Sequence, residues 1–101
     1  MLVPVKPLTE LPEDEGFLFR QGPYQVALFR VGDEVHAIDN ACPHSGADLA
    51  SGYIDGYRVA CPWHYWQFDI RTGQCETVHN YEVDTYSIVI ENGLVKLQLP
   101  D

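Results

Sequence analysis

The sequence has few basic residues, few cysteines and no long apolar segment. Six Lys and Arg residues stand against fifteen Asp and Glu residues, which gives a formal net charge of −9 at pH 7. The phosphates of a nucleic acid would repel so acidic a protein, and we expect no nucleic-acid partner. No apolar run approaches the roughly eighteen residues that a membrane-spanning helix requires. We therefore expect no association with a membrane.

Two short motifs repeat one pattern in the middle of the chain. C-P-H covers residues 42–44 and C-P-W-H covers residues 61–64, with sixteen residues between the two motifs. Each motif supplies one thiol and one imidazole, and each has a proline after its cysteine, which stiffens the backbone where the thiol must be aimed. The candidate metal ligands are Cys42, His44, Cys61 and His64.

Two kinds of metal site could use this donor set. A single zinc ion accepts two Cys and two His ligands, but its usual motifs pair Cys with Cys and His with His. Here each motif is mixed, which favours a binuclear cluster whose one iron takes both thiolates and whose other iron takes both imidazoles. Two buried cysteines and two unrelated histidines that align by chance are a weaker alternative.

At these residues the chain resembles the Rieske [2Fe–2S] family. The spacing of both motifs matches, as do the flanking G-A-D-L and the W-x-F-D-x-R-T-G run from Trp66 to Gly73. The resemblance implies one [2Fe–2S] cluster, with Cys42 and Cys61 on the inner iron and His44 and His64 on the outer iron. Three further Cys and His residues lack a partner at ligand spacing and are expected to be structural or solvated: Cys75, His36 and His79.

The resemblance also bears on the reduction potential. Rieske proteins of bc-type respiratory complexes carry an extra disulfide between the two loops, and this chain has Ala47 and Trp63 at those positions. The same proteins place a Ser and a Tyr after the second histidine, where this chain has Trp66 and Phe68. We therefore expect a potential at the low end of the Rieske range, because hydrogen bonds to the sulfurs tune it.

The remaining pattern is that of short strands and turns. Asn92-Gly93 is a strong hairpin signal, and Val95, Leu97 and Leu99 alternate with polar residues. A helical turn is expected only near Leu8–Asp14. We predict one all-β domain, residues 1–101, with the family's antiparallel β-sandwich and a small subdomain carrying cluster-binding loops 42–50 and 61–69. The predicted strands are 24–31, 35–39, 57–60, 87–91 and 94–99.

In such a cluster both irons have all their ligands, so no position is open for a substrate. A site of this kind on a small scaffold indicates an electron carrier that is not catalytic alone. The family suggests a ferredoxin that passes electrons from a flavin-dependent reductase to a ring-hydroxylating dioxygenase. The alternatives are the small subunit of an assimilatory nitrite reductase, which would bind its large subunit, and a structural zinc module. We expect Trp66 and Phe68 to shield the sulfurs, and Trp63 and Tyr65 to be exposed where partners dock.

The cellular setting follows from the same features. Residues 1–6 lack a basic stretch followed by an apolar core, so we expect no signal peptide. If two of the three cysteines bind metal, the remaining one cannot form a disulfide within the chain. A chain without disulfides is typical of a reducing cytoplasm. We expect a monomer or a weak oligomer whose acidic surface favours a basic partner face.

Overall fold

Antiparallel strands dominate the computed structural model, which describes residues 1–100 and contains, within them, ten β-strands and two 3-10 helices. The strands are β1 (Leu2–Pro7), β2 (Phe17–Gln21), β3 (Tyr24–Val31), β4 (Glu34–Asp39), β5 (Tyr53–Asp55), β6 (Arg58–Ala60), β7 (Gln67–Asp69), β8 (Thr85–Tyr86), β9 (Ile88–Glu91) and β10 (Leu94–Gln98). The 3-10 helices are Leu8–Glu10 and Leu49–Ser51. Neither they nor any other helix in residues 1–100 has the length and apolarity to cross a membrane.

Three sheets form the architecture. The outer sheet has the order β1-β10-β9, the central sheet β2-β3-β4-β8 and the small sheet β5-β6-β7. Strand β3 is buried along Val26–Phe29 because its alternate side chains enter different cores. Val26 and Leu28 pack with the outer sheet, and Ala27 and Phe29 pack with the small sheet and the cysteine loops. The all-β class and the sandwich that the sequence predicts are confirmed.

The five strands predicted from the sequence are present as β3, β4, β6, β9 and β10, with bounds that differ by at most one residue. The predicted hairpin is present, and both Asn92 and Gly93 have positive φ (51° and 79°), as a type I′ turn requires. The predicted helical turn is shorter than expected: it ends at Glu10, before Pro12, whose ring opposes helical extension. Strands β1, β2, β5, β7 and β8 were not predicted.

The segment 40–84 is inserted between β4 and β8, which pair with each other in the central sheet. It contains the small sheet and both cysteine loops. The predicted loop 42–50 runs into the second 3-10 helix, and the predicted loop 61–69 ends in β7, so neither range is wholly irregular. The insertion places both loops on one small scaffold beside the central sheet.

Candidate metal centre

The first cysteine loop is closed by two backbone hydrogen bonds. Cys42 N–H donates to the carbonyl of Ala47 over 3.0 Å, and Gly46 N–H donates to the carbonyl of Cys42 over 2.7 Å. Gly46 has a φ of 75°, which a glycine adopts without steric cost. The sequence thus folds the loop tightly around Cys42, with His44 at its turn.

The second loop repeats this geometry. Cys61 N–H donates to the carbonyl of Trp66 over 2.8 Å, and Tyr65 N–H donates to the carbonyl of Cys61 over 2.9 Å. Tyr65 occupies the position of Gly46 in the first loop and has a similar φ, 60°. The two half-sites seen in the sequence are therefore matched in three dimensions, with a strained tyrosine where the first loop has glycine.

The four candidate ligands form two like pairs. Cys42 and Cys61 are buried, with 2% and 0% of their surfaces exposed, and their thiols interact. His44 and His64 are exposed, with ring centroids 4.8 Å apart and planes at 62°. Within residues 1–100, no three His, Cys, Asp or Glu side chains lie close enough to hold one metal ion together. The structure places the four donors as two contacting pairs, one buried and one exposed.

The environment of Cys61 favours its ionised form. Burial is the largest influence and by itself raises the pKa of this thiol. Hydrogen bonds from the Ser45 side chain, the backbone at Trp63 and His64, and the Cys42 side chain together outweigh burial, so the pKa of Cys61 is lowered. The loop environment thus shifts the equilibrium of Cys61 toward the thiolate, the form in which cysteine binds metals.

Ser45 is a contact that the sequence analysis missed. Its hydroxyl lies 3.5 Å from Cys61 Sγ, across the gap between the loops. The hydroxyl oxygen accepts a hydrogen bond from Ala47 N–H over 3.4 Å, which leaves its proton free to be donated to the sulfur. The family resemblance places hydroxyl donors only after the second histidine, where this chain has Trp66 and Phe68. The available signal was a serine directly after the first histidine.

The four aromatic residues of the second loop have the exposures expected from the sequence: two are buried or partly buried, and two are exposed. Phe68 is fully buried and Trp66 is partly buried against the same core. Trp63 and Tyr65 are 64% and 62% exposed, beside His64. Tyr65 also stacks on Tyr53, whose ring is 59% exposed, with centroids 5.7 Å apart. Exposed aromatic rings therefore flank the paired histidines.

The model of the Rieske [2Fe-2S] domain family matches residues 1–87. The chain belongs to this family. A related sequence is the ferredoxin component of the naphthalene 1,2-dioxygenase/salicylate 5-hydroxylase systems of Ralstonia sp., with 32% identity over 93 residues, 91% of this chain and 89% of the relative.

Solved structures of similar chains agree with this Rieske assignment. The Sphingomonas yanoikuyae B1 ferredoxin superposes with a TM-score of 0.89 at 29% identity, covering 99% of this chain and 100% of that one. A putative NADH-dependent nitrite reductase small subunit from Mycobacterium tuberculosis has a TM-score of 0.90 at 24% identity, covering 100% and 97%. The latter similarity shows the fold alone.

The remaining Cys and His residues lie outside the two Rieske loops. Cys75 is partly buried against the core, and its sulfur accepts a hydrogen bond from Val78 N–H over 3.5 Å. His36 is half-buried on β4 and lies 3.0 Å from a carboxylate oxygen of Glu34. His79 is exposed. These placements fit the structural and solvated roles expected from the sequence.

A polar network ties the second Rieske loop to the central sheet. Arg71 donates to both carboxylate oxygens of Asp69, over 3.1 and 2.9 Å, which holds the pKa of Asp69 below its usual value. The Arg71 guanidinium also lies 4.2 Å from the centre of the Tyr57 ring. The Tyr57 hydroxyl donates to Glu34 on β4 over 2.8 Å. The Asp and Arg of the F-D-x-R-T-G motif thus anchor the subdomain.

Proposed function

We propose that this protein is a one-electron carrier that holds one [2Fe–2S] cluster through Cys42, Cys61, His44 and His64. The observation that carries the proposal is the pairing of the donors: two buried thiols and two exposed imidazoles, presented by two loops of matched geometry. When bound, such a cluster accepts and releases one electron. Membership of the Rieske family supports the same cofactor.

The donor chemistry fits a cluster with unlike irons. In this proposal Cys42 and Cys61 bind one iron and His44 and His64 bind the other, which is the Rieske arrangement. Burial of both cysteines keeps water from their sulfurs, and the cysteine-proline turns fix the direction in which the sulfurs point. Both irons then have their ligands from the protein and the sulfides, which leaves no position for a substrate. The chain would therefore act with an enzyme and not as one.

The exposed histidine pair is the proposed point where electrons enter and leave. Trp63 and Tyr65 are both more than half exposed next to His64. A carrier meets a donor and then an acceptor, so each contact should be small and transient. The net charge of −9 favours a basic face on the partner. We assign partner docking to the surface formed by the exposed histidine pair, Trp63 and Tyr65.

The relatives guide the choice of partner. Sequence similarity of 32% over nearly the whole chain is to a ferredoxin component of a dioxygenase system. We therefore propose that a flavin-dependent reductase supplies the electron and that a ring-hydroxylating oxygenase accepts it. The alternative, a nitrite reductase small subunit bound to its large subunit, is supported at the level of the fold. We propose a single cytoplasmic domain, residues 1–101, that is a monomer or weak oligomer.

Metal and sulfide analysis of the purified protein tests the proposal. We expect two iron and two acid-labile sulfide per chain, with a visible spectrum that one electron bleaches reversibly. Cys42→Ala should abolish the cluster, whereas Cys75→Ala, a matched change of a cysteine outside the loops, should retain it. A colourless protein with stoichiometric zinc and no sulfide would instead support the structural zinc module.

Purification at natural expression levels separates the two electron-transfer roles. A free ferredoxin should elute alone, and NAD(P)H should reduce it when a flavin reductase is added in catalytic amount. A nitrite reductase subunit would elute in a stoichiometric complex with a much larger chain. In that outcome the free-carrier role fails while the cluster assignment stands.

A further inference from the structure

A chain of aromatic contacts connects the proposed ligands to a third loop, defined here as residues 75–82. The Trp66 ring stacks on His44, with centroids 4.0 Å apart and planes at 9°. Tyr81, in the third loop, meets Trp66 edge to face at 5.0 Å and 71°. His44 in turn contacts His64 at 4.8 Å. Trp66 is expected from the sequence only to shield the sulfurs, and the proposed function gives Tyr81 no role.

The position of Trp66 is fixed by its backbone. Its carbonyl accepts the hydrogen bond from Cys61 N–H at 2.8 Å. The next residue, Gln67, donates its N–H to the Thr77 hydroxyl over 2.9 Å and accepts from Glu76 N–H over 2.7 Å. The backbone carrying the indole is therefore held between the second and third loops.

Tyr81 is held in a comparable way. Its carbonyl accepts a hydrogen bond from Cys75 N–H over 2.9 Å, and the adjacent Gln74 and Glu82 form a β-bridge. Tyr81 is 41% exposed, so it contacts Trp66 and also reaches solvent. Tyr81 is thus placed to hold the indole against His44.

We propose that Trp66, braced by Tyr81, is a positioning residue that sets the plane of the His44 ring and covers one of its faces. The proposal rests on the proposed function, because it takes His44 as an iron ligand. A metal-bound imidazole can still rotate about its bond to the metal, and a neighbouring group normally fixes it. Here a nearly parallel indole supplies the constraint.

Loss of the indole should have two effects that a purely structural role would not produce. The His44 ring becomes free to rotate, which changes the coupling of its bound nitrogen to the unpaired electron. Water reaches a face that was covered, and water stabilises the more highly charged state of the site. Two ferric ions balance the charge of two sulfides and two thiolates, so the oxidised site would be formally neutral and the reduced site negative. Water should then favour the reduced state, and the midpoint potential should rise.

The experiment compares ring-removing and ring-keeping variants of the cluster-loaded protein. Trp66→Leu and Tyr81→Leu remove a contact, whereas Trp66→Phe and Tyr81→Phe retain an aromatic ring. Tyr86→Leu is the control, because it breaks a similar edge-to-face pair, Tyr24 with Tyr86 at 6.4 Å and 80°, in the other core. The readouts are the midpoint potential and the histidine nitrogen couplings in pulsed EPR.

Support for the proposal would be a positive potential shift in Trp66→Leu and a smaller one in Tyr81→Leu, each with a change in one of the two nitrogen couplings. Both Phe variants and Tyr86→Leu should stay near the wild type. If Trp66→Leu does not load a cluster, Tyr81→Leu decides the question. Unchanged couplings and potential in a loaded Leu variant would overturn the positioning role. A wild-type protein without iron would instead overturn the proposed function.

Discussion

Ser45 links the two Rieske loops, since its hydroxyl in the first loop lies 3.5 Å from Cys61 Sγ in the second. Trp66 and Phe68, neither of which has a hydroxyl group, predict a low potential. Ser45 should raise the potential, because a hydrogen-bond donor to the ligand sulfur stabilises the negative charge that reduction adds. The potential should therefore lie above that of an equivalent site without this serine.

Replacing Ser45 with Ala tests this contribution. The midpoint potential should fall by an amount on the order of tens of millivolts, since a hydrogen bond to a charged group contributes about 1.5–3 kcal/mol and only part of it differs between the oxidation states. Ser45→Thr keeps the hydroxyl and should stay near the wild type. Potentiometric titration followed in the visible spectrum measures the shift. An unchanged potential in Ser45→Ala would exclude the hydrogen bond as a tuning element.

Tyr65 adopts a backbone conformation that costs about 1–2 kcal/mol for a residue with a side chain. Its φ is 60°, and the matched position in the first loop is Gly46. The Tyr65 ring is nonetheless 62% exposed, stacked on Tyr53. Backbone strain at the proposed docking surface indicates that the Tyr65 ring contacts a partner and is not needed for the loop itself.

Tyr65→Gly separates these two roles. The stability should stay constant or rise by up to about 1 kcal/mol, because relief of strain offsets the lost ring stack and the added chain entropy. Electron transfer to a protein acceptor should slow several-fold while the spectrum stays the same. Asn92→Gly relieves a similar φ, 51°, in the β9–β10 hairpin and should leave transfer unchanged. Normal transfer by Tyr65→Gly would remove this ring from the docking surface.

Gly73 forms backbone hydrogen bonds with the end of the second loop and with the segment that precedes β8. Its N–H donates to the Asp69 carbonyl over 2.7 Å, and its carbonyl accepts from Val83 N–H over 2.8 Å. Its φ is 79°, and a Cβ atom would overlap the Val83 carbonyl oxygen. The glycine of the R-T-G motif is therefore required by close backbone packing.

Gly73→Ala should lower the free energy of unfolding by more than about 2 kcal/mol, because positive φ and steric overlap both oppose a side chain there. Gly32→Ala is the matched control, since Gly32 has a φ of 62° and open space around it. That change should cost about 1–2 kcal/mol. Urea unfolding of both variants measures the difference, and equal losses would show that the Val83 contact is unimportant.

Strands with a strong local pattern were predictable, and the others were not. Strands β3 and β10 have apolar runs or alternation, and the Asn92-Gly93 turn fixes the last hairpin. Strand β1 contains Pro4 and Pro7, which a sheet tolerates there because β1 is an edge strand. Strands β5, β7 and β8 have only two or three residues each, so their pairing depends on the folded subdomain.

In the site, too, features set by local sequence were predictable, whereas contacts between residues distant in sequence were not. The ligand candidates and their burial order followed from two local motifs and a family resemblance. The contact of Ser45 with Cys61 and that of Trp66 with Tyr81 each join residues fifteen or more positions apart. Such contacts depend on how the loops pack together, which spacing alone does not specify.

The acidic balance of the whole molecule bears on how partners meet it. A net charge of −9 on 101 residues creates a field that attracts a basic surface over about a Debye length, roughly 10 Å at 0.1 M salt. Electron transfer with a protein partner should therefore slow as salt rises from low to physiological strength. Stopped-flow rates against ionic strength measure this, with a small uncharged reductant as the control. A rate independent of salt would contradict electrostatic steering.

Pulsed EPR of the reduced protein labelled with ¹⁵N-histidine tests whether His44 and His64 bind the cluster. We expect a [2Fe–2S] signal with two strongly coupled histidine nitrogens, one from His44 and one from His64. The ¹⁵N label identifies both as histidine nitrogens, and His36→Gln and His79→Gln should leave both couplings in place. A cluster without coupled histidine nitrogens, or a protein that contains zinc and gives no such signal, would show that His44 and His64 do not bind a [2Fe–2S] cluster.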